Sequence, residues 1–331
     1  MGGLYDDQLV HELQQSSQSI VSEWGLSAST EVELLAISEN ATFRATDPVQ
    51  DKQIILRVHR PDYHTRAEIE SELLWLNDLI ENGIVDAPAP IKKSDGSLIA
   101  SLKIADTERE VVAFSFMSGE EPSPEDDLKK GFKQLGMISA KLHSHTQVWK
   151  PPVNFVRKTW NFDTTLGNSP LWGDWRESMG LSDEGKNILE QACQLIKSKL
   201  ETYGNSEDRF GLIHADLRLA NLLIDGERLG FIDFDDCGFS WFMYDFATAI
   251  SFFETDPVIP DLQKAWIEGY RTVRPLSPED EAMLPTFVAL RRILLTAWLA
   301  SHSETPTAKE LGSAYTEDTV KIASDYLSSN A

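Results

Sequence analysis

Residues 214–221 read HADLRLAN, and residues 222–233 continue as LLIDGERLGFID. The Asp-Gly pair at residues 225–226 lies between two apolar runs, a pattern that strongly predicts a β-hairpin. A chain that folds back at this pair brings Asn221 and Asp233 side by side at the open end of the hairpin. This stretch therefore decides both the fold and the chemistry that we expect.

The side chains at this open end suit a magnesium ion. Asn221 and Asp233 offer two neighbouring oxygen ligands, and Mg²⁺ uses few protein ligands because water and phosphate oxygens complete its shell. Asp216 lies upstream of Asn221 on the loop that leads into the site, where its carboxylate can accept the proton of an attacking hydroxyl. Arg218 can face a transferring phosphate with its planar donors. The pattern predicts magnesium-dependent phosphoryl transfer.

The first third of the chain predicts a small antiparallel sheet with one helix. Strand-like runs cover residues 31–37, 41–46, 53–58, 97–104 and 110–117. Thr65 and Glu68 have the spacing of a capping box, and apolar residues then recur at helical intervals until Gly83. A turn-rich segment begins at residue 118. We therefore expect an N-terminal lobe over residues 1–117 and a C-terminal lobe over residues 118–331.

The C-terminal lobe is expected to be helical, with the hairpin as its β segment. Amphipathic spacing predicts helices over residues 128–145, 183–203, 241–254, 260–270 and 279–302. The fold class that we predict is therefore α+β. A sheet with one helix, a linker and a helical lobe with one hairpin is the plan of the two-lobed protein-kinase-like fold.

The motif itself resembles a known family. The pattern H-x-D-x-x-x-x-N at residues 214–221, followed by IDFD at residues 232–235, is similar to the motifs of protein-kinase-like phosphotransferases. It looks most like the group of aminoglycoside phosphotransferases, choline kinases and type II homoserine kinases, which includes bacterial stress-response kinases. That group commonly has H-G-D-L-H-x-x-N, where this chain has Ala215 and Arg218 instead of glycine and histidine.

The resemblance implies an activity and a set of site residues. It implies a kinase that moves the γ-phosphoryl group of ATP, with Mg²⁺, onto a hydroxyl of a small molecule. Arg57 takes the place of the basic residue that holds the α- and β-phosphates, where many relatives have lysine. Its acidic partner should come from the next helix, and Glu72 is the better candidate because Glu68 belongs to the capping box. Asp245 matches an aspartate that supports the catalytic loop.

Further nucleotide contacts are implied at two places. Ser38 and Asn40 belong to a polar turn without glycine that stands where relatives cover the phosphates. Phe116 and Ser118 stand where related enzymes have their hinge and meet adenine. The glycine-free turn and Arg57 also keep open the alternative of a nucleotide-binding regulator without turnover.

An aromatic segment between the expected helices 128–145 and 183–203 bears on the identity of the acceptor. It contains Trp149, Trp160, Phe162, Trp172 and Trp175, with Asp163, Asp174 and Glu177 among them. These side chains either pack the segment onto the helical lobe or form a wall that attracts a cation. The second interpretation predicts an amine-bearing acceptor, such as an amino alcohol, amino sugar or hydroxy-amino acid. Ser/Thr protein-kinase activity is the alternative within the kinase interpretation.

Composition narrows the class of protein. A net charge of −23 argues against a nucleic-acid partner, which needs a basic face. We expect no membrane span, because apolar runs of about 18 uncharged residues are missing. Cys193 and Cys237 lack metal-ligand spacing, so we expect a reducing, cytoplasmic location. His143 and His145 are expected to compensate charge at the end of a helix.

Overall fold

The computed structural model describes residues 7–37, 40–104, 106–303 and 305–330. Contacts divide the chain into two compact units. The first comprises Met1–Ser118 with Pro151–Val156, and the second comprises Gly119–Lys150 with Arg157–Ala331. Residues 151–156 thus belong to the first unit, which the sequence did not predict.

The first unit is built on an antiparallel sheet of order β1-β2-β3-β5-β4. The strands are β1 Glu31–Ile37, β2 Ala41–Asp47, β3 Lys52–Val58, β4 Ile99–Ile104 and β5 Thr107–Ser115. Burial alternates along β2, so one face of the strand, including Phe43, lies in the core. The predicted strands are therefore present, although β5 begins three residues earlier and ends two residues earlier than expected.

Two helices accompany this sheet. The helix α2, Arg66–Glu81, begins at the predicted capping box, in which Thr65 and Glu68 bond to each other's backbone N–H. The helix α1, Asp7–Ile20, was not predicted. Its Gln14 and Gln18 side chains donate to the backbone carbonyls of Val32 at 2.7 Å and Thr30 at 2.6 Å, and so tie α1 to the edge strand β1.

The second unit is mainly helical. Its helices are α3 Lys129–Val148, α4 Phe162–Thr165, α5 Asp183–Tyr203, α6 Tyr244–Ala249, α7 Ile259–Arg271, α8 Pro278–Ser301 and α9 Pro306–Ser328. Its strands are β6 Phe210–Ile213, β7 Leu222–Asp225, β8 Arg228–Phe231 and β9 Gly238–Trp241. The pairs β6–β9 and β7–β8 are antiparallel.

Close packing of α3 on α7 depends on two glycines. A Cβ atom on Gly136 would lie 2.0 Å from the carbonyl oxygen of Trp266, and one on Gly269 would lie 1.9 Å from that of Lys133. The two backbones therefore approach to a distance that no larger residue permits.

The helix α8 is the central helix of the second unit. It begins at a capping box formed by Ser277 and Asp280. Within the described part of the chain it is the one helix long and apolar enough to cross a membrane, but 83% of its apolar window is buried inside the protein. This burial is that of a core helix.

Two expectations for the second unit need correction. The predicted helix 241–254 is wrong at both ends, because Gly238–Trp241 pairs with β6 and α6 spans only Tyr244–Ala249. The helix α9 was not predicted.

Candidate active site

The predicted hairpin is confirmed. The strands β7 and β8 pair with Leu222 opposite Phe231 and Asp225 opposite Arg228, and the chain reverses through Gly226, which has a φ of 61°. The backbone N–H of Ile232 donates to the carbonyl of Asn221 at 3.0 Å. The pairing therefore continues beyond the strands and brings residues 221 and 233 to the same end of the hairpin.

The carboxylate of Asp216 is held by three side chains. Asn221 donates its amide nitrogen to Asp216 Oδ2 and to the Asp216 carbonyl, both at 2.8 Å. Arg218 donates its Nε to Oδ2 at 3.2 Å. Arg291 donates its Nη2 to Oδ1 at 2.5 Å. The carboxylate is consequently fixed before any substrate arrives.

These cations also decide the charge of Asp216. Burial by itself raises the pKa of this carboxyl, since only 8% of the residue is exposed. The guanidinium groups of Arg218 and Arg291 outweigh burial and lower the pKa of Asp216 below its usual value of 3.8. The carboxylate is therefore ionised at neutral pH and can accept a hydrogen bond.

The loop that carries Asp216 is held by α6. Ala215 donates its N–H to Asp245 Oδ1 at 2.9 Å, and Leu217 donates its N–H to Thr248 Oγ1 at 2.9 Å. The expected support of the loop by Asp245 is thus confirmed. Ala215 has a φ of 66°, the left-handed conformation that glycine adopts without strain.

The expectation for His143 was wrong. This residue is fully buried in α3 and bonds Asp245 Oδ2 at 2.9 Å and the Tyr270 hydroxyl at 3.0 Å. Burial lowers the pKa of His143, so the ring is neutral and forms part of the support for Asp245 instead of compensating a helix end. His214 is also buried and structural, and its Nδ1 accepts the N–H of Asp216 at 3.3 Å.

The donor set fits a magnesium ion. Because Asn221 uses its amide nitrogen on Asp216, its amide oxygen is the atom left for a metal. Asp233 has a φ of 60°, a strained conformation of the kind found at functional sites. One oxygen of Asp233 accepts the N–H of Asp235 at 3.4 Å. Two oxygen ligands, an amide and a carboxylate, are a common protein contribution to a Mg²⁺ shell.

Side chains of the aromatic segment bind the backbone that follows Asp233. Arg157 donates to the carbonyls of Asp235 and Cys237, the latter at 2.6 Å, and Trp160 Nε1 donates to the carbonyl of Asp236 at 2.8 Å. Trp160, Trp172 and Trp175 are 2%, 4% and 1% exposed, respectively. The packing interpretation is therefore correct for these tryptophans, and the interpretation of an open aromatic wall is wrong for them.

The first unit contains a buried ion pair at the position expected for phosphate binding. Arg57 donates its Nη2 to both carboxylate oxygens of Glu72, at 2.7 and 2.6 Å. The Arg57 guanidinium lies 5.0 Å from the ring centre of Phe114. The two residues are 5% and 0% exposed, so the pair is desolvated and its geometry is fixed.

The other expected nucleotide residues have different surroundings. Asn40 is buried, and its side-chain oxygen accepts the N–H of Arg60 at 3.0 Å. Phe116 is 42% exposed, and Ser118 is also exposed; both follow β5. Ser38 lies outside the described residues.

Arg291 was missed from the sequence. It lies inside α8, 75 positions from Asp216, and its buried side chain contacts the Asp216 carboxylate directly. A signal was available, since an Arg-Arg pair at residues 291–292 interrupts an apolar helix and buried charges require partners. The partner could not be deduced from the pattern.

Comparison with known proteins places the chain in a family. The model of the phosphotransferase enzyme family, APH, matches residues 31–276. The chain belongs to this family. This confirms the predicted reaction class, transfer of a phosphoryl group to a hydroxyl of a small molecule, and the predicted protein-kinase-like fold.

Three similar proteins illustrate the range of this phosphotransferase family. A solved structure of a microcompartment-associated aminopropanol kinase is 43% identical, with a TM-score of 0.87 over 95% of this chain and 97% of its own. Amicoumacin kinase from Bacillus subtilis is 24% identical over 87% of this chain and 84% of its own. The structure of an amicoumacin kinase with AMP-PNP, Ca²⁺ and Ami is 19% identical, with a TM-score of 0.75 over 96% of this chain and 94% of its own.

Proposed function

We propose that this phosphotransferase uses Mg-ATP to phosphorylate the hydroxyl of a small amino alcohol. The observation that carries the proposal is the fixed, ionised carboxylate of Asp216 next to the metal hairpin. The chain has this site and is 43% identical to an aminopropanol kinase across nearly the whole of both chains. The similarity supports an acceptor of the same chemical class.

The chemistry assigned to the second unit begins at Asp216. Its carboxylate accepts a hydrogen bond from the acceptor hydroxyl and takes up the proton as the new oxygen–phosphorus bond forms. The bond between the γ-phosphorus and the bridging oxygen breaks, and ADP leaves with the electron pair. Arg218 lies against Asp216 Oδ2, where it restrains the carboxylate.

Asn221 and Asp233 are the residues that would hold the metal. Magnesium, when bound, neutralises charge on the phosphate oxygens. The hairpin pairing brings the two residues to the same end of the hairpin. The hydrogen bonds from the Asn221 amide nitrogen to Asp216 keep the amide oxygen turned away from the Asp216 carboxylate.

In the first unit, Arg57 is the proposed contact for the α- and β-phosphates. Its Nη2 donates to both carboxylate oxygens of Glu72, and this contact fixes the orientation of the guanidinium. Arginine presents a planar set of donors, whereas lysine presents a point charge. We therefore expect Arg57→Lys to alter nucleotide affinity, although the charge is unchanged.

An acidic surface suits an amine-bearing acceptor. The net charge of −23 attracts cationic molecules to the protein and repels anionic ones. We place the enzyme in the cytoplasm, where ATP and magnesium are available, and we expect no membrane or nucleic-acid partner.

A turnover screen tests the proposal. ADP release is measured with 1-amino-2-propanol, 3-amino-1-propanol and ethanolamine, and with matched diols in which a hydroxyl replaces the amine. We expect kcat/KM to be at least tenfold higher for an amino alcohol than for its diol. Equal values for both sets, or phosphorylation of casein in preference to either set, would overturn the proposed acceptor class.

A further inference from the structure

Arg291 is enclosed on several sides next to the catalytic aspartate. Its Nη2 contacts Asp216 Oδ1 at 2.5 Å, its Nε donates to Ser251 Oγ at 3.1 Å, and its Nη1 donates to the Tyr244 hydroxyl at 3.4 Å. The ring of Trp172 lies over the guanidinium, 5.0 Å from its carbon. The side chain is 2% exposed, so its position is set by these neighbours.

The placement of a cation here needs a reason. A buried guanidinium loses its hydration, and this loss is offset only by well-formed pairs. Within the described part of the chain, the carboxylate at ion-pair distance from Arg291 is that of Asp216. The protein thus places a desolvated cation where it acts on the residue that we assign as the base.

Arg291 determines which oxygen of Asp216 can take a substrate. A carboxylate has about four lone-pair sites. Asn221 and Arg218 both donate to Oδ2, whereas among the described residues Arg291 is the donor on Oδ1. The site that is left lies on Oδ1, beside the Arg291 guanidinium.

We propose that Arg291 is a positioning residue for phosphoryl transfer, which holds the Asp216 carboxylate so that Oδ1 accepts the hydrogen bond of the acceptor hydroxyl. This inference rests on the proposed function of Asp216. Arg291 acts through the carboxylate and does not itself receive the proton or bind the metal. Loss of the guanidinium leaves the carboxylate held at Oδ2 alone, so that Oδ1 can shift and misplace the hydroxyl.

The alternative is an ion pair that merely fills the core, and Arg292 provides a matched control for it. This neighbour is 3% exposed in the same helix, and its Nη1 pairs with Glu254 at 2.5 Å. It also donates to Thr319 Oγ1 at 2.9 Å and to the carbonyl of Tyr315 at 3.2 Å, both on α9. Arg292 is therefore an arginine of the same helix that is similarly buried and similarly paired but bonds to other residues than Asp216.

The experiment compares kcat and KM for Arg291→Met, Arg291→Lys and Arg292→Met. We expect Arg291→Met to lower kcat by about 10- to 100-fold, the range that misplacement of a reacting group produces, with KM for ATP within about twofold. Arg291→Lys should keep part of the rate, because an ammonium retains the charge without the planar donors. Arg292→Met should lower stability but leave kcat within about twofold below its unfolding temperature. An equal loss of kcat in Arg292→Met would overturn the proposal.

A double-mutant cycle gives a second, independent criterion. If Arg291 acts through Asp216, then adding Arg291→Met to Asp216→Asn should lower kcat by less than about twofold further. Losses that multiply would contradict the proposal. If the methionine variant does not fold, the same cycle is measured with Arg291→Lys. A parent enzyme that phosphorylates no amino alcohol would refute the proposed acceptor instead. The cycle is then measured on ATP hydrolysis without an acceptor, where Asp216 orients water.

Discussion

At the scale of single residues, Ala215 has a strained backbone conformation in the loop that carries Asp216. Its φ of 66° costs a residue with a Cβ atom about 1–2 kcal/mol compared with glycine. In this conformation the Ala215 N–H donates to Asp245, directly before Asp216. The strain is therefore a consequence of how the loop is anchored.

A pair of glycine substitutions tests this strain. Ala215→Gly and Ala247→Gly both remove a buried methyl group, and both increase the conformational entropy of the unfolded chain. Only Ala215→Gly also relieves a left-handed φ. We expect Ala215→Gly to be about 1–2 kcal/mol less destabilising than Ala247→Gly in urea unfolding. Equal destabilisation by the two changes would show that Ala215 is not strained.

The sequence allowed the local part of the site to be predicted but not the distant part. Asp216, Asn221 and Asp233 fall within one loop and one hairpin, so their spacing alone brings them together. Arg291 reaches Asp216 only through the packing of α8, and no local pattern encodes that contact. The burial of Trp160 could not be predicted either, because the composition of the segment does not distinguish a buried indole from an exposed one.

At the scale of elements, the hairpin is the unit that brings the two proposed metal ligands to one end. Asp233 lies at its open end, whereas Asp225 lies at the turn and faces Arg228. We expect Asp233→Ala to abolish the magnesium-dependent part of ATP binding and Asp225→Ala to leave it within about twofold, because only Asp233 is placed as a metal ligand. Calorimetric titration of ATP with and without Mg²⁺ measures both. Unchanged magnesium dependence in Asp233→Ala would remove this residue from the metal site.

The elements that were missed or misplaced in the prediction have different causes. The helix α1 has Gln or Ser at half of its positions, and few apolar residues remain to mark the helix, although Leu13 lies in the core and Leu9 and Ile20 pack against it. The helix α9 has small residues and a non-helical φ at Gly312, which interrupt its periodicity. The helix α6 was predicted too long because the adjacent apolar run includes β9. Strong capping signals, as at Thr65 of α2, were predicted correctly.

At the scale of the whole molecule, buried histidines link stability to pH. Burial lowers the pKa of His143 from its ordinary value of 6.5, and it lowers the pKa of His214 in the same direction. The unfolded chain therefore binds protons below about pH 6.5 that the folded protein does not bind. Stability is retained above this pH and is lost as the pH falls through it.

Urea unfolding at pH 7.5 and 5.5 measures this linkage. Each histidine that stays neutral contributes up to about 1.4 kcal/mol per pH unit in this window. We expect the parent to be less stable at pH 5.5, and His143→Gln to reduce the difference between the two pH values by about 1 kcal/mol, whatever its own stability. A pH dependence identical to that of the parent would mean that His143 does not titrate as its burial requires.

The central claim is that Asp216 is the group that handles the proton of the acceptor hydroxyl and is not a nucleotide ligand. The most direct measurement is kcat and ATP affinity for Asp216→Asn, a substitution that preserves shape and removes the charge. The account predicts a loss of kcat of about 10² or more, in line with general-base contributions, with ATP affinity within about twofold of the parent. Turnover near that of the parent, or a loss of ATP binding that accounts for the whole effect, would contradict it.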